Sequence, residues 1–183
     1  MIVGIDEVGR GCWAGPVVAG AVVLRAPIAG LKDSKKLSRL QREKLAAIIN
    51  EQAVVGIGWV PASQVDAIGL QEAVRLAMAD ALSQIDAEYD ELIIDGDYNF
   101  FPDNPKAKAV IKADDSVPAV SAASIVAKVA RDNYMAGLET TLPGYGFGQH
   151  VGYGTALHLA NLQALGVTHE HRLSFKPVKA LIQ

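Results

Sequence analysis

The chain reads as an α/β protein, with helices on both faces of a five-stranded mixed sheet. Three observations point there. Short apolar runs ending in acids open the chain and recur near its middle. Helical periodicity alternates with β-rich runs from residue 39 onward. No repeat, linker or low-complexity tract divides the 183 residues, a length that suits one sizeable core, so a single domain over residues 1–183 with a short C-terminal tail is expected.

The elements follow in order. Ile2, Val3 and Ile5 form a first strand, with Asp6 and Glu7 at its end. Residues 16–24 (PVVAGAVVL) make a second, and residues 26–30 a turn. Ser38 is placed to cap a helix over 39–51, whose Leu40, Leu45, Ile48 and Ile49 share a face. Residues 54–60 read as a strand that Pro61 ends. The longest helical pattern covers 68–85, with Leu70, Val74, Met78 and Leu82 at four-residue steps. A short strand over 91–95 (ELIID) ends in Asp95, and Gly96 turns the chain. A basic loop over 102–108, a strand over 109–112 and an alanine-rich helix over 118–136 come next. Residues 144–154 contain five glycines and read as a loop. A last helix over 155–165 leaves 169–183 as the tail.

Half the residues are apolar and 20% are charged, the balance of an ordinary globular protein. The net charge of −3 announces no nucleic-acid partner, so any basic footprint has to be local. Cys12 is the single cysteine, which excludes an internal disulfide and reads as a small filler beside Trp13. No signal-like segment opens the sequence and no apolar run matches a bilayer. A cytoplasmic protein without membrane contact is expected.

The chemistry concentrates at strand ends. Asp6, Glu7 and Asp95 close predicted strands, where α/β sheets gather their ligand sites, and Asp114 precedes the alanine-rich helix. Each acid alone reads more readily as a cap on a turn or helix than as a ligand. Together they would repel one another unless a hard cation neutralised them, and oxygen-only ligands favour Mg²⁺ or Mn²⁺ over zinc. Beside the first acids, Gly9-Arg10-Gly11 surrounds one guanidinium with almost no bulk, a loop that lets backbone amides approach a phosphate or a base.

These residues sit in long motifs: GIDEVGRG with AGPV following, LKDSKKLS, LIIDGD, VPAVSAASIVAKVARD, HVGYGT and HRLSFKPV. Over nearly its whole length the chain resembles the ribonuclease HII family, the bacterial type 2 ribonucleases H. The resemblance implies a ribonuclease H-like fold and two Mg²⁺ or Mn²⁺ ions held by Asp6, Glu7, Asp95 and Asp114. It implies an endoribonuclease acting by two-metal-ion hydrolysis. The substrates would be the RNA strand of an RNA/DNA hybrid duplex and DNA containing single ribonucleotides, cut 5′ of the ribonucleotide to leave 3′-hydroxyl and 5′-phosphate ends. The family's Lys-Gly-Asp around the fourth acid reads Lys112-Ala113-Asp114 here, and Asp115 and Asp97 lie close to the chosen acids in sequence.

The resemblance further assigns substrate contacts to Gly9, Arg10 and Gly11, and to Ser34, Lys35 and Lys36 in DSKKLS. Lys112 and Lys128 are additional candidates for the backbone. Tyr153 in HVGYGT would stack on the sugar 3′ of the ribonucleotide, with Tyr145 as its competitor. Val151 stands where the family usually has lysine. Ser121 and Ser124 either touch phosphate or pack among alanines, and His171 and Arg172 would support the tail against the core. A monomer is expected. The paralogous type HIII carries an additional N-terminal domain, for which an acid pair at residues 6–7 leaves no room. A DNA resolvase on the same fold would need no GRG or GYG element, and a non-catalytic hybrid-binding module would be expected to have lost an acid.

Overall fold

The computed structural model describes residues 1–31 and 37–182. Five strands, β1 (Ile2–Val8), β2 (Val17–Leu24), β3 (Ala53–Val60), β4 (Glu91–Asp95) and β5 (Ala107–Val110), pair in the order β3-β2-β1-β4-β5. The first three are antiparallel meander strands, while β1, β4 and β5 run parallel. Mixed pairing of this kind matches the sheet expected from sequence. Its consequence for function is that β1 and β4 end on the same edge.

Alternation along the strands divides the core in two. Val3 and Ile5 of β1 join Ala19 and Ala21 of β2 on one face, covered by α3 (Leu70–Ser83) through Val74, Ala77 and Met78. Val22 faces the other way, against α1 (Arg39–Gln52) and α5 (Pro118–Thr141) through Ile49, Ala122 and Ile125. The small residues of α5 let it ride very close to the sheet. A Cβ on Gly4 would lie 2.2 Å from the α5 backbone, so glycine there sets the spacing between sheet and helix.

Several boundaries differ from the sequence reading. The helix expected over 68–85 is α3, which starts after Gly69 at φ 82, and a short α2 (Ala62–Ile68) that the sequence reading did not anticipate precedes it. Pro61 ends β3 but also opens α2, where its missing N–H has no cost. The longest helix is α5, at 24 residues, and β5 begins two residues before the expected strand. Ser38 caps α1 as expected and forms a capping box with Gln41. Asp114 lies on a one-turn α4 (Ala113–Ser116), and the glycine-rich loop holds another, α6 (Phe147–His150). Thr155 caps α7 (Ala156–Leu165). The tail is no loose end: Glu170, His171 and Arg172 are buried, and His171 bridges to Ala14 before α8 (Lys176–Lys179). No described helix is long and apolar enough to cross a membrane.

Candidate active site

The parallel register Ile5↔Ile94 sets the next residues, Asp6 and Asp95, side by side at the sheet edge. Asp6 points to the α5 face, where Ser124 hydrogen-bonds its carboxyl and Glu7 N–H donates to it at 2.7 Å. Ala113 N–H donates to Asp95 Oδ1 at 2.7 Å, which ties the strand end to α4. The Ser121 hydroxyl donates to the Asp114 carbonyl at 2.8 Å and anchors α4 on α5. One carboxylate oxygen each of Asp6, Asp95 and Asp114 therefore lies within 4.8 Å of the others. Asp97 and Asp115, their neighbours in sequence, are exposed and outside this group.

Glu7 stands apart from that trio. It is the next residue on a strand, so its side chain leaves β1 on the opposite face from Asp6. Its carboxylate pairs with Arg10 at 3.1 Å, although both line the same cleft as Asp6 and Asp95. Burial pushes the Asp6 carboxyl up to about 8, and the charges of Glu7 and Asp95 add to the rise. Burial also raises Glu7, against the pull of Arg10. Such a floor holds more negative charge than it can comfortably ionise. The all-oxygen donor set and the short separations suit a hard divalent cation.

The cleft has a volume of about 270 Å³, and its remaining wall comes from Gly9–Gly11, Arg42, Lys128 and Tyr153. The two glycines of the GRG loop have different reasons to be there. Gly9 adopts φ 92, and a Cβ on it would meet Arg131 at 2.4 Å. Gly11 has no neighbour within 4 Å of its would-be Cβ, so the fold does not require it. Opposite, Lys128 binds Asp132 at 2.7 Å and sits 5.8 Å from the Tyr153 ring centroid, within cation–π range. Tyr153 is 41% exposed. Tyr145 is buried, stacks on Phe147 at 5.3 Å and donates its hydroxyl to Gly166 O at 2.9 Å, so it belongs to the core. Lys112 is exposed and outside the cleft lining, and Ser34, Lys35 and Lys36 lie outside the described residues.

Two buried guanidiniums build the loops from behind. Arg131 donates to the carbonyls of Pro16 (2.9 Å), Val151 (2.8 Å) and Ala14 (3.0 Å). Arg172 donates twice to Gly15 O, at 3.0 and 2.9 Å, and once to Arg10 O at 2.9 Å. Burial lowers Arg172 only to about 10, so it stays cationic at neutral pH. Cys12, also buried, reaches Val151 O at 3.8 Å, and burial raises its thiol. Sequence reasoning missed Arg131 as a loop anchor and Arg42 as a cleft residue. Their only signals were spacing, Arg131 three residues past Lys128 and Arg42 four past the Ser38 cap.

The two departures from the family motifs fare differently. Ala113 is helical and needs no glycine; the left-handed residue is Lys112, at φ 57. Val151 itself is left-handed, at φ 45, which is strained for a β-branched side chain.

A carboxylate trio at parallel strand ends, beside a glycine-lined cleft with basic walls, defines a class of enzyme: a divalent-metal-dependent nuclease of the α/β type. Comparison with known proteins narrows the class. The family described as Ribonuclease HII matches residues 3–178. Ribonuclease HII of Halorhodospira halophila is 48% identical over 186 residues, covering 99% of this chain and 94% of its own. The Nitrosococcus oceani enzyme is 46% identical, covering 100% and 92%. Among solved structures, the Archaeoglobus fulgidus RNase HII, determined in complex with PCNA, superposes with a TM-score of 0.84 at 28% identity, covering 100% of this chain and 97% of that one. The chain belongs to the ribonuclease HII family, whose members cleave the RNA of RNA/DNA hybrids and at embedded ribonucleotides and depend on divalent metal.

Proposed function

We propose that this cleft nicks the RNA-containing strand on the 5′ side of a ribonucleotide, leaving 3′-hydroxyl and 5′-phosphate ends, with Asp6, Glu7, Asp95 and Asp114 as the catalytic acids. The observation that carries the reading is the close approach of three carboxylates beside an open glycine. The four acids would hold two Mg²⁺ or Mn²⁺ ions, which supply charge neutralisation and Lewis acidity at the scissile phosphate when bound. The protein's own groups do the rest. Ser124 and the Glu7 amide orient Asp6, and the Ala113 amide orients Asp95. Gly11 leaves the GRG backbone bare, so its amides and carbonyls can sense a 2′-hydroxyl in the minor groove. Arg10 and Lys128 supply cations for the strand's phosphates, with Ser34, Lys35 and Lys36 extending that grip. Tyr153 offers its exposed face to the sugar beyond the ribonucleotide.

The reading takes residues 1–183 as a single ribonuclease H-like catalytic domain acting as a monomer, with β1, the GRG loop, β4, α1, α5 and Tyr153 lining one cleft. We place the reaction in the cytoplasm, a reducing compartment in which the buried, unpaired Cys12 is at home. The test is cleavage of a duplex with one ribonucleotide against an all-DNA duplex, with Mg²⁺, with Mn²⁺ and with neither. One nick 5′ of the ribonucleotide, only with metal, is the expected result. Equal cutting of the all-DNA duplex would refute the reading.

A further inference from the structure

Behind Tyr153 lies a row of hydrogen bonds that runs in only one direction. The Thr168 backbone N–H donates to His171 Nδ1 at 3.0 Å, and the Thr168 hydroxyl meets the same nitrogen at 2.9 Å. An amide N–H cannot reverse its polarity, so His171 Nδ1 carries no proton and Nε2 does. His171 Nε2–H then donates to His158 Nε2 at 3.1 Å. With Nε2 accepting, the proton of neutral His158 sits on Nδ1, which donates to the Tyr153 carbonyl at 2.9 Å. The other tautomer would set two bare lone pairs against each other at that carbonyl.

The row is enclosed on every side. His150 stacks on His158 at 4.2 Å with 11° between planes, its Nδ1 accepting from Gly152 N–H and its Nε2–H donating to Tyr145 O. Trp13 covers His158 at 5.5 Å and Phe147 meets its ring edge-on at 5.7 Å. His158 and His171 are buried, and that burial holds both near 4, so both rings are neutral at pH 7. The polarity of one distant amide thus reaches the carbonyl of the residue whose ring lines the cleft.

We infer that His158 and His171 are positioning residues for ribonucleotide recognition: they hold the Tyr153 carbonyl inward and so keep the Tyr153 ring turned to the cleft. The inference rests on the proposed sugar-stacking role of Tyr153. Neither histidine lines the cleft, and both act through the tyrosine.

The experiment measures the ratio of kcat/KM on a single-ribonucleotide duplex to that on a long RNA/DNA hybrid. Tyr153→Ala, His158→Leu, His158→Asn and the Tyr153→Ala/His158→Leu double variant are compared. Misplacement of a reacting group costs about a hundredfold, so a drop in the ratio of about ten- to a hundredfold is expected for Tyr153→Ala and for His158→Leu. His158→Asn keeps an N–H at the Nδ1 position and should stay within about threefold of wild type. The double variant should fall no further than Tyr153→Ala, because the histidine has nothing left to position. A lowered ratio in Tyr153→Ala with a wild-type ratio in His158→Leu would overturn the histidine role and leave the tyrosine's intact. A wild-type ratio in Tyr153→Ala would overturn the stacking reading itself, and the inference with it. Should His158→Leu fail to fold, long-range ¹⁵N–¹H correlation on the wild type decides. The Nδ1–H form of His158 and the Nε2–H form of His171 are expected, and the opposite forms would overturn the inference.

Discussion

The floor of the cleft and the frame around it are built on opposite electrostatic principles. In the floor, acids converge on strand ends and raise one another's proton affinity, so the fold tolerates them at a cost. In the frame, buried cations turn away from the substrate and hold loops by their carbonyls, leaving the backbone to face outward. Floor side chains are displayed for chemistry and strain the protein. Frame side chains are hidden and stabilise it. Substitutions in the two regions should therefore move activity and stability in different combinations.

The largest expected effect is in the floor. Asp95→Asn keeps the acceptor for Ala113 N–H but removes a charge from the trio. Losing a ligand of the proposed metal site would forfeit several kcal/mol of transition-state stabilisation, so kcat/KM should fall by about a thousandfold or more. Thermal unfolding without metal should show the variant at least as stable as wild type. Added Mn²⁺ should then raise the wild-type midpoint more than the variant's. A destabilised variant in metal-free buffer would contradict the electrostatic reading of the floor.

Next comes the frame. Arg172→Met approximately keeps side-chain volume but strands the carbonyls of Gly15 and Arg10. Each unsatisfied buried group costs about 1–3 kcal/mol, for a loss of roughly 2–6 kcal/mol. At this chain length that is a midpoint drop of about 10 °C. Urea or thermal melts check it, and an unchanged midpoint would remove Arg172 from the frame.

Much of the floor was legible in the sequence, and little of the frame was. Asp6 and Asp95 end apolar runs, and that pattern is enough to bring them to one sheet edge. The divergence of Glu7 from Asp6 follows from strand alternation, but only once β1 is known to run on through both acids to Val8. Arg131 gave no comparable signal, and Arg172 was singled out only through the HRLSFKPV motif, as a support for the tail. An arginine in an alanine-rich helix reads as a solvated face, and the carbonyls it serves lie 115 to 117 residues away for Pro16 and Ala14. Helix α2 was missed because its seven residues between Pro61 and Gly69 are too few to show a helical period. Tyr145 and Tyr153 share a glycine-flanked setting and differ only in what tertiary packing does with them.

A smaller, pH-dependent effect separates floor from frame without any assay of cleavage. Asp6 has a folded-state value of about 8 against an ordinary 3.8. Below about pH 4 both states hold the proton and the residue is neutral in its effect. Between about 4 and 8 the unfolded chain releases it while the folded one retains it, so stability falls as pH rises. The slope is at most about 1.4 kcal/mol per pH unit. Asp6→Asn lacks this penalty. In metal-free buffer its stability advantage over wild type should be absent near pH 4, grow through neutrality and level off above about 8. Denaturant melts across that range check it, and a constant gap would contradict the raised Asp6.

Gly11→Ala tests the division between floor and frame most directly. Its added Cβ meets nothing in the protein, so folding and Mn²⁺ affinity should match wild type. A substrate backbone that has to approach the bare loop would meet that methyl. The measurement is kcat/KM for nicking at a single embedded ribonucleotide, with Mn²⁺ titration on the same sample. A loss of about a hundredfold with unchanged metal affinity is the predicted result. Wild-type nicking would show that Gly11 is not where the ribonucleotide is read, and a loss of metal affinity would show that floor and frame are not separable.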